Sequence, residues 1–260
     1  MNRLELRDLV VRYGPAHRGL TAVDGVSLTL AEGTTIGVVG ESGSGKSTIA
    51  KAIVGLAPVT AGAILLDGED LGAARAAQRR GVRRRVQMVF QDPSSCLDPR
   101  MTAGASIGEA LVTHRRMRHR SRQEEVARLL GLVGLDPAIA GVLPRALSGG
   151  QRQRVALARA LAVEPDVLIA DEITSALDVS VQGAVLNLIR DLQRRLGLTM
   201  LFISHDLAVV RYVSDVVAVM HAGRIVELGP AQQLMTEPRD AYTRALLAAS
   251  PALTAAASDC

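Results

Sequence analysis

Three short stretches of the chain carry residue types whose spacing suits phosphate chemistry. The first is GESGSGKST at 40–48, which has the pattern G-x-x-x-x-G-K-[ST] between the apolar run TTIGVV and the helical run IAKAIVGL. Gly40, Gly43 and Gly45 permit backbone conformations closed to other residues. The main chain through Glu41, Ser42, Ser44 and Thr48 can then wrap closely around phosphate oxygens. Lys46 offers a point charge to β- and γ-phosphates, and Ser47 a hydroxyl to Mg²⁺. A chance glycine-rich turn is the competing reading, and the flanking strand and helix weigh against it. The second stretch is VLIADE at 167–172. Its four apolar residues predict a buried strand, with Asp171 at the C-terminal edge where ligands bind in open α/β sheets. A carboxylate there suits the Mg²⁺ shell, and Glu172 beside it suits a water to be oriented and polarised; an acidic pair capping a strand is the plainer alternative. The third is LSGGQRQRVALARAL at 147–161, where Ser148, Gly149, Gly150 and Gln151 open a helical run whose backbone amides make an anion site. The first two stretches together describe a nucleoside triphosphatase that works by positioning and charge neutralisation, without covalent chemistry. The third poses a question, because one nucleotide needs only one such loop.

The elements that must position these residues follow from apolar periodicity. TTIGVVG (34–40), RRVQMVF (84–90), VLIA (167–170), TMLFIS (199–204) and VVAVM (216–220) predict buried strands. Helical stretches between them predict an α/β fold with a mostly parallel sheet. The N-terminal MNRLELRDLVVRYG alternates as a strand, RIVELGP (224–230) reads as a hairpin arm and AYTRALLAA (241–249) as a short final helix. Residues 100–162 contain no convincing strand. They carry helical periodicity in ASIGEALVTH, RQEEVARLLGLV and the run after Ser148, and predict a helical insert between two strands of the sheet.

Composition excludes several classes. At 260 residues and 48% hydrophobic content the chain can build a substantial core, but no run of about 18 uncharged apolar residues is present to span a bilayer. The N-terminus lacks a secretory signal, and Cys96 and Cys260 are too few for a disulfide framework or a metal site, so a cytoplasmic protein is expected. The net charge of +4 comes almost wholly from arginine, because Lys46 and Lys51 are the only lysines. The clusters RRGVRRR (79–85) and HRRMRHRSR (114–122) read first as solvated faces, next as contacts to anionic headgroups or a membrane-bound partner. Nucleic acid comes last, for want of aromatic stacking partners: there are three Tyr, two Phe and no Trp.

Further motifs bring a resemblance. The chain resembles the ATP-binding subunits of ABC transporters from about residue 4 to residue 250, with five motifs in the family's order. LSGGQRQR lies before the Asp171 strand like the family's signature; Phe90-Gln91-Asp92-Pro93 is similar to its glutamine loop. SALD (175–178) matches the loop after the catalytic glutamate, and ISHD (203–206) contains the switch histidine, His205. The resemblance implies a P-loop core with a mostly parallel sheet, N-terminal antiparallel β elements and an inserted helical subdomain. It divides the chain into a catalytic core of residues 1–91 and 163–250, a helical subdomain of 92–162 and a flexible tail of 251–260. It implies ATP and Mg²⁺ as ligands, with Ser47, Gln91 and Asp171 toward the metal, partly through water. Glu172, His205, Lys46 and Gln91 become the catalytic set, and Tyr13 the aromatic that stacks on adenine. Taken singly, His205 after an apolar strand, Gln91 at a strand end and Tyr13 flanking a strand each have an ordinary structural reading. The chain departs from the family at Ile173, where proline usually follows the catalytic glutamate. Proline fixes φ, so Ile173 is expected to loosen the turn that aims Glu172.

The resemblance also answers the question of the third stretch. Two such subunits would pair head to tail, with Ser148, Gly149, Gly150 and Gln151 acting in trans on the γ-phosphate held by the loop 40–48 of the other. The partner ATPase would be a second copy or a paralogue. Two membrane-spanning permease subunits and, indirectly, an extracellular substrate-binding protein complete the assembly, at the cytoplasmic face of the membrane and without nucleic acid. FQDPSSCLDPRMT (90–102) and AYTRALLAASP (241–251) look like the ATPases of oligopeptide, dipeptide and nickel importers. The lone Cys260 after Pro251 argues against the iron–sulfur cluster that some relatives carry. An exporter ATPase is the alternative that these motifs leave open. A ribosome-associated ATPase would fuse two cassettes, and a chromosome ATPase would need a far longer insert than 100–162.

Overall fold

The computed structural model describes residues 2–15, 19–72, 81, 84–92, 96–115, 119–175 and 177–249. The tail 251–260 with Cys260, Pro93, Ala176 and parts of both arginine clusters (79–80, 82–83 and 116–118) lie outside the described residues.

Two sheets enclose the first helix. Strands β1 (Asn2–Tyr13), β2 (Leu20–Ala31), β4 (Val59–Leu66) and β5 (Glu69–Asp70) form an antiparallel sheet in the order β2-β1-β4-β5. Strand β1 buries Leu4 and Leu6 and then Leu9 and Val11. The shift from even to odd positions is absorbed by a bulge at Asp8, whose φ is +45°. One extra residue there keeps the apolar side chains on one face. The second sheet has the order β10-β9-β3-β8-β7-β6, built from β3 (Thr35–Val39), β6 (Val86–Val89), β7 (Val167–Asp171), β8 (Thr199–Ile203), β9 (Val216–His221) and β10 (Arg224–Pro230). All its pairings are parallel except β9 with β10. The five buried runs expected as strands are β3, β6, β7, β8 and β9, and the expected hairpin arm is β10.

Strand periodicity divides the core. On β7, Val167 and Ile169 join one apolar cluster with the antiparallel sheet and helix α1 (Lys46–Ile53), while Leu168 and Ala170 join the other. Alternate side chains of a strand point to opposite faces, so a strand covered on both faces is apolar throughout. The second cluster continues into the helical insert, where α2 (Ala103–Arg115), α3 (His119–Leu132) and α4 (Gly149–Leu161) pack together. Ile107 and Leu111 on α2, with Val126, Leu129 and Leu130 on α3, repeat at three and four residues, as a one-faced helix requires. Helix α4 is buried on several sides, from Val155 through Leu161, and lies against β6 and α5 (Val179–Leu196). The described residues end with α6 (Leu207–Val213), α7 (Ala231–Thr236) and α8 (Ala241–Ala248). Among the described residues, no helix is long and apolar enough to cross a membrane.

Candidate nucleotide site

The loop 40–45 leaves the C-terminal end of β3 and turns directly into α1. Gly45 caps that helix at φ +105°, and a Cβ there would run into the Ala22 carbonyl, so the position admits only glycine. No side chain caps α1, and its first turn holds no acidic residue. Its leading amides therefore remain donors for an anion. Lys46 is 4% exposed, and its ammonium donates to the carbonyls of Gly40 and Glu41, each at 2.7 Å. Burial pushes this lysine below its ordinary pKa, while Glu172, Asp171 and Glu41 pull it back up. A desolvated ammonium held by neutral carbonyls gains strongly when an anion approaches.

Strand β8 lies between β3 and β7, yet the first two motifs meet. The Ser47 hydroxyl donates to Asp171 Oδ1 at 2.9 Å. Asp171 ends β7 and is 5% exposed; burial raises its carboxyl above the ordinary range, against the Ser47 hydrogen bond that lowers it. Glu172 follows in the left-handed region, φ +48°, and its amide donates to the Ile203 carbonyl at 2.9 Å. That conformation is costly for a side-chain-bearing residue and turns Glu172 away from the strand direction. Its Oε1 lies 3.5 Å from His205 Nδ1. His205 sits in the turn from β8 to α6, where Asp206 caps the helix by accepting from the amides of Ala208 and Val209. Gln91, just beyond β6, donates from Nε2 to the Ser175 hydroxyl at 3.3 Å, and that hydroxyl donates to the Glu172 carbonyl at 2.8 Å.

Direct contacts thus join Ser47 to Asp171 and Glu172 to His205. Gln91 reaches the Glu172 carbonyl through Ser175, and Lys46 lies next to Ser47 in the chain, held by the loop carbonyls. Ser175 is the link that sequence reasoning did not single out, although it opens the SALD motif. Ile173 differs from the loosening expected of it. Its side chain is 2% exposed in the larger core cluster, and the Ser175 amide closes the turn onto the Glu172 carbonyl at 3.1 Å. Packing here supplies the restraint that proline would supply through φ.

Two sets of expected residues stand elsewhere. Tyr13 ends β1, paired with Leu20 and 39% exposed. The signature residues open α4 as a capping box. Ser148 Oγ accepts from the Gln151 amide at 3.2 Å, and Gln151 Oε1 accepts from the Ser148 amide at 2.9 Å. No hydrogen bond among the described residues joins them to the loop 40–48 of the same chain. Gly150 faces Val181 on α5 so closely that an added Cβ would meet its Cγ1 at 2.5 Å.

Comparison with known proteins gives the family. The ABC transporter family profile matches residues 23–175. A protein of Brucella abortus (strain 2308), named for ATP binding in peptide import, is 50% identical over 251 residues, covering 94% of this chain and 75% of its own. The oligopeptide transport ATP-binding protein AppF of Bacillus subtilis (strain 168) is 48% identical over 257 residues, covering 95% and 78%. Among solved structures, a dimeric post-hydrolysis state of the ATP-binding cassette MJ0796 bound to ADP and Pi aligns with a TM-score of 0.79. The identity is 28%, and 88% of this chain and 98% of that one are covered. The cassette cbiO1 from Clostridium perfringens, part of the ABC transporter complex cbiONQ, gives 0.81 at 27% identity over 91% and 92%. The chain belongs to the ABC transporter family, as one of its ATP-binding, ATP-hydrolysing cassettes.

Proposed function

We propose that this cassette powers the import of peptides and acts as one half of a head-to-tail pair of ATPase subunits. The Ser47–Asp171 contact at 2.9 Å carries the catalytic reading, because it joins the phosphate loop to the strand that presents Glu172. In this reading Lys46 turns from the Gly40 and Glu41 carbonyls to the β- and γ-phosphates, and the amides at the start of α1 hold the same charge. Glu172 accepts a hydrogen bond from the attacking water, while His205 contacts the γ-phosphate and steadies the Glu172 carboxylate. Gln91 senses the filled site through Ser175, and Tyr13 stacks on adenine. Catalysis then consists of orientation and charge placement, and no covalent intermediate is needed.

The residues present suit Mg²⁺. Ser47, Asp171 and Gln91 carry hard oxygen donors, and the Ser47 hydroxyl and Asp171 carboxylate stand 2.9 Å apart. Few protein ligands plus phosphate oxygens is the arrangement this ion prefers. When bound, Mg²⁺ supplies positive charge to the phosphate oxygens.

Ser148, Gly149, Gly150 and Gln151 serve the nucleotide of the partner ATPase, a second copy or a paralogue. The helical part, residues 92–162, moves relative to the core of 1–91 and 163–250 and conveys that motion to two membrane-spanning permeases at the cytoplasmic face. An extracellular binding protein delivers the cargo. Relatives about half identical and named for peptide transport favour peptides over nickel.

Glu172→Gln tests the reading. The variant is expected to keep ATP binding, to lose turnover by about 10²–10⁴, the usual contribution of a positioned base, and to collect as an ATP-dependent dimer on size exclusion. Wild-type turnover in this variant would remove Glu172 from the mechanism.

A further inference from the structure

The phosphate loop is held from outside by α8, the last helix among the described residues. The Glu41 amide donates to the Tyr242 hydroxyl at 3.1 Å, although 201 residues separate the two. The Glu41 carbonyl meanwhile accepts from Lys46 at 2.7 Å. Residue 41 is therefore tied on one side to the loop's own lysine and on the other to α8.

Tyr242 is itself firmly placed. Its amide donates to Asp240 Oδ1 at 2.8 Å, the cap of α8. Glu227 on β10 accepts from the Arg239 and Asp240 amides at 2.9 and 3.1 Å, which fixes the approach to that helix. The tyrosine ring lies 4.0 Å, centroid to centroid, from His221 at the end of β9. The turn after β9 supports the loop a second time, where the Gly223 amide donates to the Ser44 carbonyl at 3.0 Å.

The Lys46 ammonium has three N–H donors and gives two of them to the loop carbonyls, so engaging both β- and γ-phosphates draws at least one away. Once its ammonium turns to the nucleotide, the Glu41 carbonyl loses its charged donor and keeps the Ser44 amide at 3.2 Å inside the loop, so the Tyr242 bond is the tie that joins residue 41 to the rest of the protein. We propose that Tyr242 is a positioning residue for the nucleotide site: its hydroxyl fixes residue 41 so that the loop keeps its shape when Lys46 engages phosphate. Tyr242 acts through the loop and touches no reacting atom. The proposal rests on ATP being cradled by residues 40–48 and adds to that site a support from the opposite end of the chain.

The test uses the full chain with MgATP and compares wild type, Tyr242→Phe and Tyr242→Ala. Phenylalanine keeps the ring beside His221 but offers the Glu41 amide no acceptor. For Tyr242→Phe the expected result is an ATP Kd and KM raised about two- to tenfold, the range of one hydrogen bond, with kcat and the ligand-free Tm nearly unchanged. Tyr242→Ala is expected to raise KM further and to lower Tm as well, because the ring contact is also lost. A wild-type KM in the phenylalanine variant overturns the proposal. So does a fall in Tm and kcat without a rise in KM, which would mean that the tyrosine only packs the helix. If wild type itself binds no ATP, the nucleotide site fails first and the inference falls with it.

Discussion

Gly150→Ala probes the contact between the signature helix and its neighbour. A Cβ at 150 would stand 2.5 Å from Val181 Cγ1, whereas carbon atoms in good contact sit about 3.5–4.0 Å apart. About 1 Å of relief is therefore required. Val181 is β-branched on a helix and has essentially one rotamer, so the relief must come from separation of α4 and α5. Overpacking of this kind costs about 1–3 kcal/mol. The gain in helix propensity from glycine to alanine offsets at most about 1 kcal/mol, and less this close to the helix start. A net loss of about 1–2 kcal/mol remains, which for a chain of this size lowers Tm by about 2–8 °C. The same displacement moves the amides of Gly149 and Gly150. Misplacement on the order of 1 Å can lower turnover by up to about 10². Thermal unfolding and steady-state ATPase at saturating ATP read the two effects. Val181→Ala supplies the control, since it opens the space that the new methyl needs. On that background Gly150→Ala should be neutral or stabilising, giving a coupling of about 0.5–3 kcal/mol. Equal losses on both backgrounds would refute the steric reasoning.

Two further expectations follow from burial. Ile173→Ala removes a side chain that is 2% exposed and should cost about 2–5 kcal/mol in urea unfolding, with turnover falling as the Glu172 turn loosens; a loss below about 1 kcal/mol would show that the turn does not depend on this packing. Asp171 carries a carboxyl whose pKa burial raises, so its folded-state value lies above the unfolded one. Such a group stabilises the fold fully below the unfolded value, about 3.9, and loses that contribution as pH rises through the folded value. Asp171→Asn should therefore stabilise the ligand-free protein at pH 7 and lose that advantage below about pH 4, while ATP hydrolysis is lost. Chemical unfolding at both pH values checks this, and an asparagine variant less stable than wild type at pH 7 would contradict it.

The buried strands were legible because a strand covered on both faces must be apolar at every position, and four of the five such runs ended at a motif. Loop 40–48 and the Asp171-Glu172 pair were legible for the same reason: their chemistry sits where a strand stops. The antiparallel sheet was less so. Strand β1 alternates as expected up to the bulge at Asp8, where the pattern shifts by one residue, whereas β2 and β4 were not singled out and β5 is too short to leave a pattern. Ser175 and Tyr242 show a different limit. Each acts through one hydrogen bond whose partner is set by tertiary packing, 84 residues away for Gln91 and 201 for Glu41. AYTRALLAA announces a helix, but nothing within it indicates that its tyrosine reaches a phosphate loop. Ile173 shows the converse, because the missing proline suggested slack that burial of the side chain removes.

The two helix starts that both looked like phosphate sites differ in how their donors are used. Helix α1 begins without a side-chain cap, so the amides of Lys46 and Ser47 have no acceptor from their own turn, although the Thr48 amide bonds the Gly45 carbonyl, and the buried Lys46 side chain adds a charge. That combination is unstable against an approaching anion and suits a site that works within one chain. Helix α4 begins with a reciprocal cap in which Ser148 and Gln151 satisfy each other. The amides of Gly149 and Gly150 still have no carbonyl one turn earlier in the helix, and Ser148 remains exposed. A start partly satisfied at home is stable alone and retains donors for a phosphate brought by another surface. This division of hydrogen bonding suits the composite site proposed above, with the loop 40–48 and the signature supplied by different cassettes.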